Sequence, residues 1–236
     1  KLDTTGEGKT LTVQGGQITI AFNGPVVGDV ARRGLDLTVF DFTITSQNNV
    51  EIKNLRLNAT STGLDSGDGF NDLKVWDVAG NSVISSATDI TTSTAITVTD
   101  VININAGQSK RMKVTVDVDP DNEDGDDITV SLSPFQSNDI RNLDNNTYVA
   151  TSTIVPNARV AGNVQDTRVP SLDVQIAATP GSQSIVKGAT NQSFVGLSFR
   201  SVYDSIKITS LKISASTTGA TSTISTIKSD LRNVAL

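Results

Sequence analysis

Residues 50–59 have the sequence VEIKNLRLNA, and residues 206–215 repeat the pattern as IKITSLKISA. In the first copy, Val50 and Ile52 occupy alternate positions, and the alternation resumes out of phase at Leu55. Apolar residues at every second position indicate strands with one buried face, and a phase break indicates a bend or a bulge. Because both copies break at the same place, we expect a strand that crosses between two sheets of a sandwich.

The repeat continues on both sides of this stretch. Residues 11–14 match 172–175, residues 40–42 match 197–199, and residues 72–74 match 230–232. Tandem copies of one module are typical of arrays of separately folded units. The predicted organisation is a tail or linker at 1–8, a first repeat at 9–162, a linker at 163–170, and the front half of a second repeat at 171–236.

The second copy stops where the first continues beyond Asp77, so the counterpart of residues 77–162 is not in the sequence. We expect copy two to be completed by chain beyond Leu236 or covered by a neighbouring molecule through strand addition. Residues 171–236 alone are expected to be unstable, because apolar side chains would face water.

The composition excludes several classes of site. The chain has no cysteine and no histidine, so disulfides, Cys/His zinc sites and His-dependent catalytic triads are impossible. The net charge is −6 and the basic residues are scattered, which is unlike a nucleic-acid-binding footprint. Lys110-Arg111-x-Lys113 is the nearest approach to a basic cluster, and we interpret it as a solvated strand start. No run of 18 apolar residues is present, so we expect no membrane insertion of this segment.

Short strands separated by turns account for most of the chain. Met112, Val114, Val116 and Val118 alternate with polar residues, and no segment sustains a 3.6-residue period. A change of parity at Phe40 predicts a bulge or a strand bend within an extended run. Many short strands at 8–12-residue spacing with Gly, Asn and Asp turns predict an all-β, antiparallel sandwich.

Several segments together resemble a known family. They are TLTV (10–13), NGPVVG (23–28), FDFT (40–43), VEIKNLRLNATSTG (50–63), DLKVWD (72–77), INAGQSKRMKVTVDVD (104–119) and DDITVSL (126–132). The pattern is similar to the immunoglobulin-like β-sandwich repeats of large prokaryotic cell-surface proteins, including S-layer and adhesin-type proteins. The resemblance implies tandem sandwich domains and an extracellular location, and it carries no catalytic signature.

An acidic segment after Met112–Val118 is the main candidate site. Calcium takes six to eight oxygen ligands from flexible acidic loops. The EF-hand pattern fails, because counting from Asp119 places Asp124 where glycine is required and Val130 where an acid is required. The segment is either a calcium site or a solvated acidic hairpin loop. If calcium is the cofactor, its candidate ligands are Asp117, Asp119, Asp121, Glu123, Asp124 and Asp126.

Other candidate features have ordinary structural interpretations. The second acidic cluster, at 65–72, consists of turn-forming residues. Trp76 is interpreted as core or half-buried packing, with a sugar-stacking platform as the alternative. Glycosylation-type sequons begin at Asn58, Asn145 and Asn191, and Asn145 is predicted to lie in an exposed loop.

The sequence therefore predicts a non-enzymatic, extracellular structural module of a prokaryotic surface layer, appendage or adhesin. Its partners are expected to be copies of itself or neighbouring surface proteins. The alternative is a ligand-binding adhesin or a carbohydrate-binding module attached to a larger surface enzyme. An array predicts contacts repeated between identical chains, whereas a binding module predicts one aromatic-lined concave patch.

Overall fold

A computed structural model describes residues 17–186 and 188–213. The predicted strand at 10–13 lies outside these residues. The strands are β1 (Ile18–Gly24), β2 (Gly28–Ala31), β3 (Leu37–Ser46), β4 (Val50–Ile52), β5 (Leu55–Thr62), β6 (Phe70–Asp77), β7 (Ser82–Val83), β8 (Thr88–Ile90), β9 (Thr94–Val98), β10 (Ile102–Ile104), β11 (Gln108–Val118), β12 (Asp127–Leu132), β13 (Ile140–Asn142), β14 (Thr147–Tyr148), β15 (Ile154–Val155), β16 (Val160–Ala161), β17 (Gln165–Arg168), β18 (Ser171–Ile176) and β19 (Leu197–Val202).

The strands form three sheets and a separate two-stranded ribbon. Sheet A has the order β15-β1-β3-β11-β6-β7, and β8 also pairs with β6. Sheet B has the order β2-β17-β12-β5-β9, and β16 also pairs with β12. Sheet C has the order β10-β4-β13-β14, and the ribbon consists of β18 and β19. The chain is thus an all-β protein, as its sequence predicts.

One hydrophobic core joins the sheets. Phe40, Phe42 and Met112 from sheet A, together with Leu57 and Val130 from sheet B, are at most 1 % exposed and belong to one buried cluster. Inward side chains from two sheets that share a core define a β-sandwich. With few aromatic residues, this core consists mainly of Val, Ile and Leu.

The strand pairings are mainly antiparallel, as predicted, and sheets A and B each contain a short parallel pairing. β15 runs parallel to β1, and β17 runs parallel to β2. β15 has two residues and β17 has four, and each lies at or next to a sheet edge. The direction of such short strands depends on the long connections that return the chain to the sheet. The alternation of apolar residues therefore does not predict whether they pair parallel or antiparallel.

The predicted bulge in β3 is confirmed. Phe40 pairs with Val114 on β11, but the next pair joins Thr38 to Thr115, so Val39 has no opposite residue. One extra residue on β3 reverses the parity of the strand. Both Val39 and Phe40 are therefore buried although they are adjacent.

The predicted crossing between sheets is also confirmed. β4 pairs with β10 and β13 in sheet C, whereas β5 pairs with β12 and β9 in sheet B. Lys53 and Asn54 separate the two strands and form the bend. The phase break therefore marks the point where the chain passes from sheet C to sheet B.

Residues 163–170 are not simply a linker, contrary to the prediction. Gln165–Arg168 form β17, which pairs with β2 on one side and with Asp127–Ile128 of β12 on the other. Gln165 and Thr167 point inward and are buried. Because the inward residues of β17 are polar, the alternation of apolar and polar residues by which a strand is recognised in the sequence is absent. The other predicted domain boundaries stay predictions.

Three further segments add short elements to the sheets. Residues 85–94 contain β8, whose Ile90 is fully buried. Residues 134–146 contain β13 and the buried Phe135. Beyond them, β14 is followed by a 3₁₀ turn at Thr151–Thr153 and then by β15.

The ribbon repeats the pairing of the first two long strands. Val174 of β18 lies opposite Phe199 of β19, as Phe22 lies opposite Phe42 in the β1–β3 pair. β18 thus pairs with β19 as β1 pairs with β3, while residues 11–14, the sequence match of 172–175, lie outside the described residues. One ribbon face carries apolar side chains, of which Leu197 is half-buried and the others are exposed, namely Leu172, Val174, Ile176 and Phe199.

The compact unit with the sandwich and ribbon ends at Asp204, and a second unit begins at Ser205. In its described part, residues 205–213, no strand is present. The strands expected there from the match with β4 and β5 are thus not formed. β4 and β5 are each held between two partner strands, and an extended segment without such partners has no ladder to join. Ile208, Leu211 and Ile213 are 42–44 % exposed.

Candidate functional site

The acidic segment forms the loop between β11 and β12 at one end of the sandwich. Asp117 still belongs to β11, and its Oδ1 accepts a hydrogen bond of 2.6 Å from the backbone N–H of Asp36. Asp119 follows, and its Oδ1 accepts from the N–H of Asp121 at 2.9 Å. The carboxylate of Asp119 thus closes a turn within the loop, and that of Asp117 ties β11 to the segment before β3.

The later part of the loop is built in the same way. Asp126 is 3 % exposed, and its Oδ2 accepts a hydrogen bond of 2.7 Å from the N–H of Glu123. Asp124 reaches out of the loop, and its Oδ1 accepts from the N–H of Val169 at 2.6 Å. Val169 and Pro170 join β17 to β18, so Asp124 fixes the loop to the connection between sandwich and ribbon.

Four of the six predicted calcium ligands therefore accept hydrogen bonds from backbone N–H groups, while the side chains of Asp121 and Glu123 are exposed. Within residues 17–186 and 188–213, no three acidic side chains lie close enough together to hold a metal ion. The calcium site stays a prediction, and the geometry gives the loop a structural role of its own.

The two acidic clusters meet in space, which the sequence did not indicate. Asn71 donates a hydrogen bond of 2.8 Å from Nδ2 to Oδ2 of Asp119, and the N–H of Asp119 donates to the carbonyl of Gly69 at 3.1 Å. The N–H of Gly69 donates to Oδ1 of Asn122 at 2.8 Å, and Asn122 is fully buried. Asn122 thus holds the 65–72 loop against the 119–126 loop. Its burial within an acidic run has no signal in the sequence.

Trp76 is half-buried on the outer side of sheet A, as the sequence predicts. Its Nε1–H donates to Oγ1 of Thr115 at 2.8 Å. Nζ of Lys113 lies 5.5 Å from the centre of the ring, in a cation–π contact. The indole therefore packs across two strands of the same sheet.

The basic cluster at the start of β11 is paired with acids. Nζ of Lys110 lies 2.8 Å from a carboxylate oxygen of Asp77. The guanidinium of Arg111 makes a bidentate contact with Asp41, from Nε to Oδ1 at 2.9 Å and from Nη2 to Oδ2 at 2.7 Å. This contact with Asp41 raises the pKa of Arg111 above its ordinary value. The cluster thus lies near the start of β11 as predicted, with Arg111 exposed to solvent and both Lys110 and Arg111 in ion pairs.

The three sequons lie in three different environments. Asn58 belongs to β5, which is paired on both edges. Asn145 is exposed between β13 and β14, as predicted, and Asn191 is exposed in an irregular segment.

Two open grooves lie on the sandwich. One, of about 370 Å³, runs along β9 and is lined by residues of Val83–Ser86 and Ala95–Asp100. The other, of about 170 Å³, lies beside the β13–β14 hairpin. The first is lined by serine and threonine hydroxyls and one carboxylate, Asp100, and the second by asparagine amides, hydroxyls and Tyr148.

Known proteins offer structural likenesses only. No protein-family model and no curated protein matches the chain. A DUF4466 family protein from Parabacteroides merdae is 10 % identical, with a TM-score of 0.26, over 70 % of this chain and 48 % of that one. This chain therefore spans about half of that protein's length.

Two smaller proteins have a similarly low structural similarity to this chain. AvmM, which catalyses macrocyclization in alchivemycin A biosynthesis, is 11 % identical over 64 % of this chain and 86 % of its own, with a TM-score of 0.26. A type III cohesin module from the ScaE cell-surface anchoring scaffoldin of Ruminococcus flavefaciens is 12 % identical over 65 % and 87 %, with a TM-score of 0.27. Likenesses this distant carry no functional argument.

No described helix is long and apolar enough to cross a membrane.

Proposed function

We propose that this chain is a non-enzymatic structural module of a prokaryotic surface layer, appendage or adhesin, located outside the cell. The observation that carries the proposal is the repeated strand pair. Residues 197–199 of β19 match residues 40–42 of β3, and each of the two strands pairs antiparallel with a preceding strand, β18 and β1 respectively. A chain that begins the same strand pair again after one sandwich fits an array whose role is reach and spacing.

The use of the charged side chains supports a structural role. Arg111 pairs with Asp41 and Lys110 with Asp77 across strands. The carboxylate of Asp124 is bound to the backbone of the connection that follows the sandwich. These groups stabilise turns and strand pairs and are not gathered in a cleft, where catalytic groups are usually found.

The alternative, a carbohydrate-binding module, would require several exposed rings gathered at one groove, and among the described residues Tyr148 is the only aromatic one that lines either of the two grooves. Trp76 is the only tryptophan in the chain. Its N–H is engaged by Thr115, and Lys113 lies over its ring. This arrangement favours the structural module.

Electron microscopy of the native assembly tests the proposal. We expect the chain at the cell exterior, in arrays with a constant spacing between identical subunits, and protease treatment of intact cells should remove it. A monomeric protein that binds one saccharide through a single patch would contradict the proposal and favour the carbohydrate-binding alternative.

A further inference from the structure

The hairpin formed by β13 and β14 presents an asparagine sequon at its tip. The sequon is Asn145-Asn146-Thr147, and all three residues are exposed. Asn146 has a φ of 62°, in the left-handed region, so the chain turns sharply at the middle of the sequon. The reacting residue of a sequon must enter an enzyme's active site, and an exposed tight turn can do so without loss of the fold.

The amide of Asn145 is held in one orientation. Its Oδ1 accepts hydrogen bonds from the N–H of Thr147 at 3.1 Å and from Oγ1 of Thr147 at 2.7 Å. With the oxygen of the amide engaged by the third residue of the sequon, Nδ2 is the end of the side chain that remains for reaction. Within the described ranges, no residue accepts a hydrogen bond from Nδ2 of Asn145.

A groove next to Asn145 is lined by side chains that can contact a saccharide. The groove of about 170 Å³ is lined by Asn145 together with Asn48, Asn142 and Tyr148. Amide groups can hydrogen-bond sugar hydroxyls, and an aromatic ring can stack on the apolar face of a sugar. Tyr148 is 52 % exposed, so its ring is accessible at the rim.

The other two sequons lack this arrangement. Asn58 lies in the middle of β5, between β9 and β12, and the next residue, Ala59, is fully buried. Modification there would require the sandwich to open. Asn191 is exposed, but its sequon shows no hydrogen bond that joins the first residue to the third, and its third residue is Ser193.

We propose that Asn145 is a site of N-linked glycosylation. In the reaction, Nδ2 of Asn145 forms a bond to C1 of a saccharide carried on a lipid phosphate or diphosphate. The C1–O bond breaks, the lipid phosphate leaves with the electron pair, and the amide gives up one proton. The site rests on the proposed location of the chain outside the cell, where such lipid-linked saccharides are transferred.

Peptide mass spectrometry of the chain from its native cells tests the site. Trypsin places the three sequons in separate peptides, 57–74, 142–159 and 188–200. We expect a saccharide mass on most copies of peptide 142–159 and none on peptide 57–74. Thr147→Ala should remove the saccharide, and Thr147→Ser should retain it, because the hydroxyl is kept. Both variants alter an exposed side chain, and their melting curves should match the parent.

In a second experiment, the purified full chain is treated with an oligosaccharyltransferase and a lipid-linked oligosaccharide. The chain is tested once in its folded state and once unfolded in urea. The folded chain should be modified at Asn145 at least tenfold faster than at Asn191, and Asn58 should react only in urea. An unmodified 142–159 peptide in chain recovered from the cell exterior overturns the site and leaves the proposed function intact. Chain found only inside the cell overturns both.

Discussion

Asp139, whose side chain is fully buried, accepts a hydrogen bond from the guanidinium of Arg56 at the bend between β4 and β5. The same carboxylate accepts from Nδ2 of Asn54 at 3.2 Å and from the N–H of Gln136 at 2.7 Å. The backbone carbonyl of Asp139 also accepts from the N–H of Lys53 at 2.7 Å. One residue thus holds the two-residue bend by which the chain passes from sheet C to sheet B.

Asp139→Ala is expected to lower the free energy of unfolding by roughly 3 kcal/mol, at the lower end of the range for breaking a buried ion pair. Arg56 is 29 % exposed and can recover some hydration, but the N–H of Gln136 would lose its partner. Denaturant unfolding measures the loss. The control is Asp166→Ala, which removes a surface pair with Arg168 and should cost less than about 1 kcal/mol. Equal losses for the two variants would contradict the anchoring role of Asp139.

Gly162→Ala should also destabilise the sandwich, by about 1–3 kcal/mol, the usual cost of overpacking a core. A Cβ at this position would lie 2.5 Å from the carbonyl oxygen of Val130 and 2.7 Å from Cδ2 of Phe40. The carbonyl already accepts the N–H of Gly162, so it cannot move away without breaking that bond. Gly181→Ala is the control, because a Cβ there meets nothing within 4 Å. A melting temperature unchanged by Gly162→Ala would contradict the predicted clash.

The features that the sequence predicted correctly depend on residue parity alone. The bulge at Val39 and the crossing after Ile52 both appear as a change of phase in alternating apolar residues. Parity survives in the sequence because each apolar side chain must face the core, whichever strands lie next to it.

The features that were missed depend on partners distant in the chain. Gln165 and Thr167 face inward in β17, and only their pairing with β12 and β2 shows that they belong to a strand. Asn122 is buried because it bonds to Gly69, 53 residues away. A buried polar residue becomes evident only when its hydrogen-bond partner is known.

The stability of the sandwich should fall in acid partly because of Asp77. A hydrogen bond from Lys110 is the main cause that lowers the pKa of Asp77 below its ordinary 3.8. The unfolded state then binds the proton more readily, so the stabilisation is complete above pH 4 and is lost as the pH falls through the lowered pKa. We expect Asp77→Asn to flatten this part of the curve of unfolding free energy against pH. Lys110→Gln should flatten it similarly, and an unchanged slope in both would show that the pair does not contribute.

Calcium is expected to raise the melting temperature, since a ligand that binds only the folded state stabilises it by mass action. Asp121 and Glu123 offer exposed carboxylates in the acidic loop. Asp121→Asn with Glu123→Gln should abolish the calcium effect and leave the melting curve in chelator unchanged, because these side chains support no described turn. The same melting temperature in calcium and in chelator would leave the loop with its hydrogen-bonding role alone.

The rates of amide hydrogen exchange should differ between the sandwich and the ribbon. The ribbon has two strands, and an isolated strand pair is only marginally stable in water. Val174 is 49 % exposed and Phe199 is 38 % exposed, whereas Phe42 in the matching position of β3 is fully buried. We expect the amides of β18 and β19 to exchange by local opening, many times faster than those of β3 and β11, which require opening of the core. Protection of the ribbon equal to that of β3 would mean that its apolar face is covered in solution, and a dependence of that protection on protein concentration would identify a second copy as the cover.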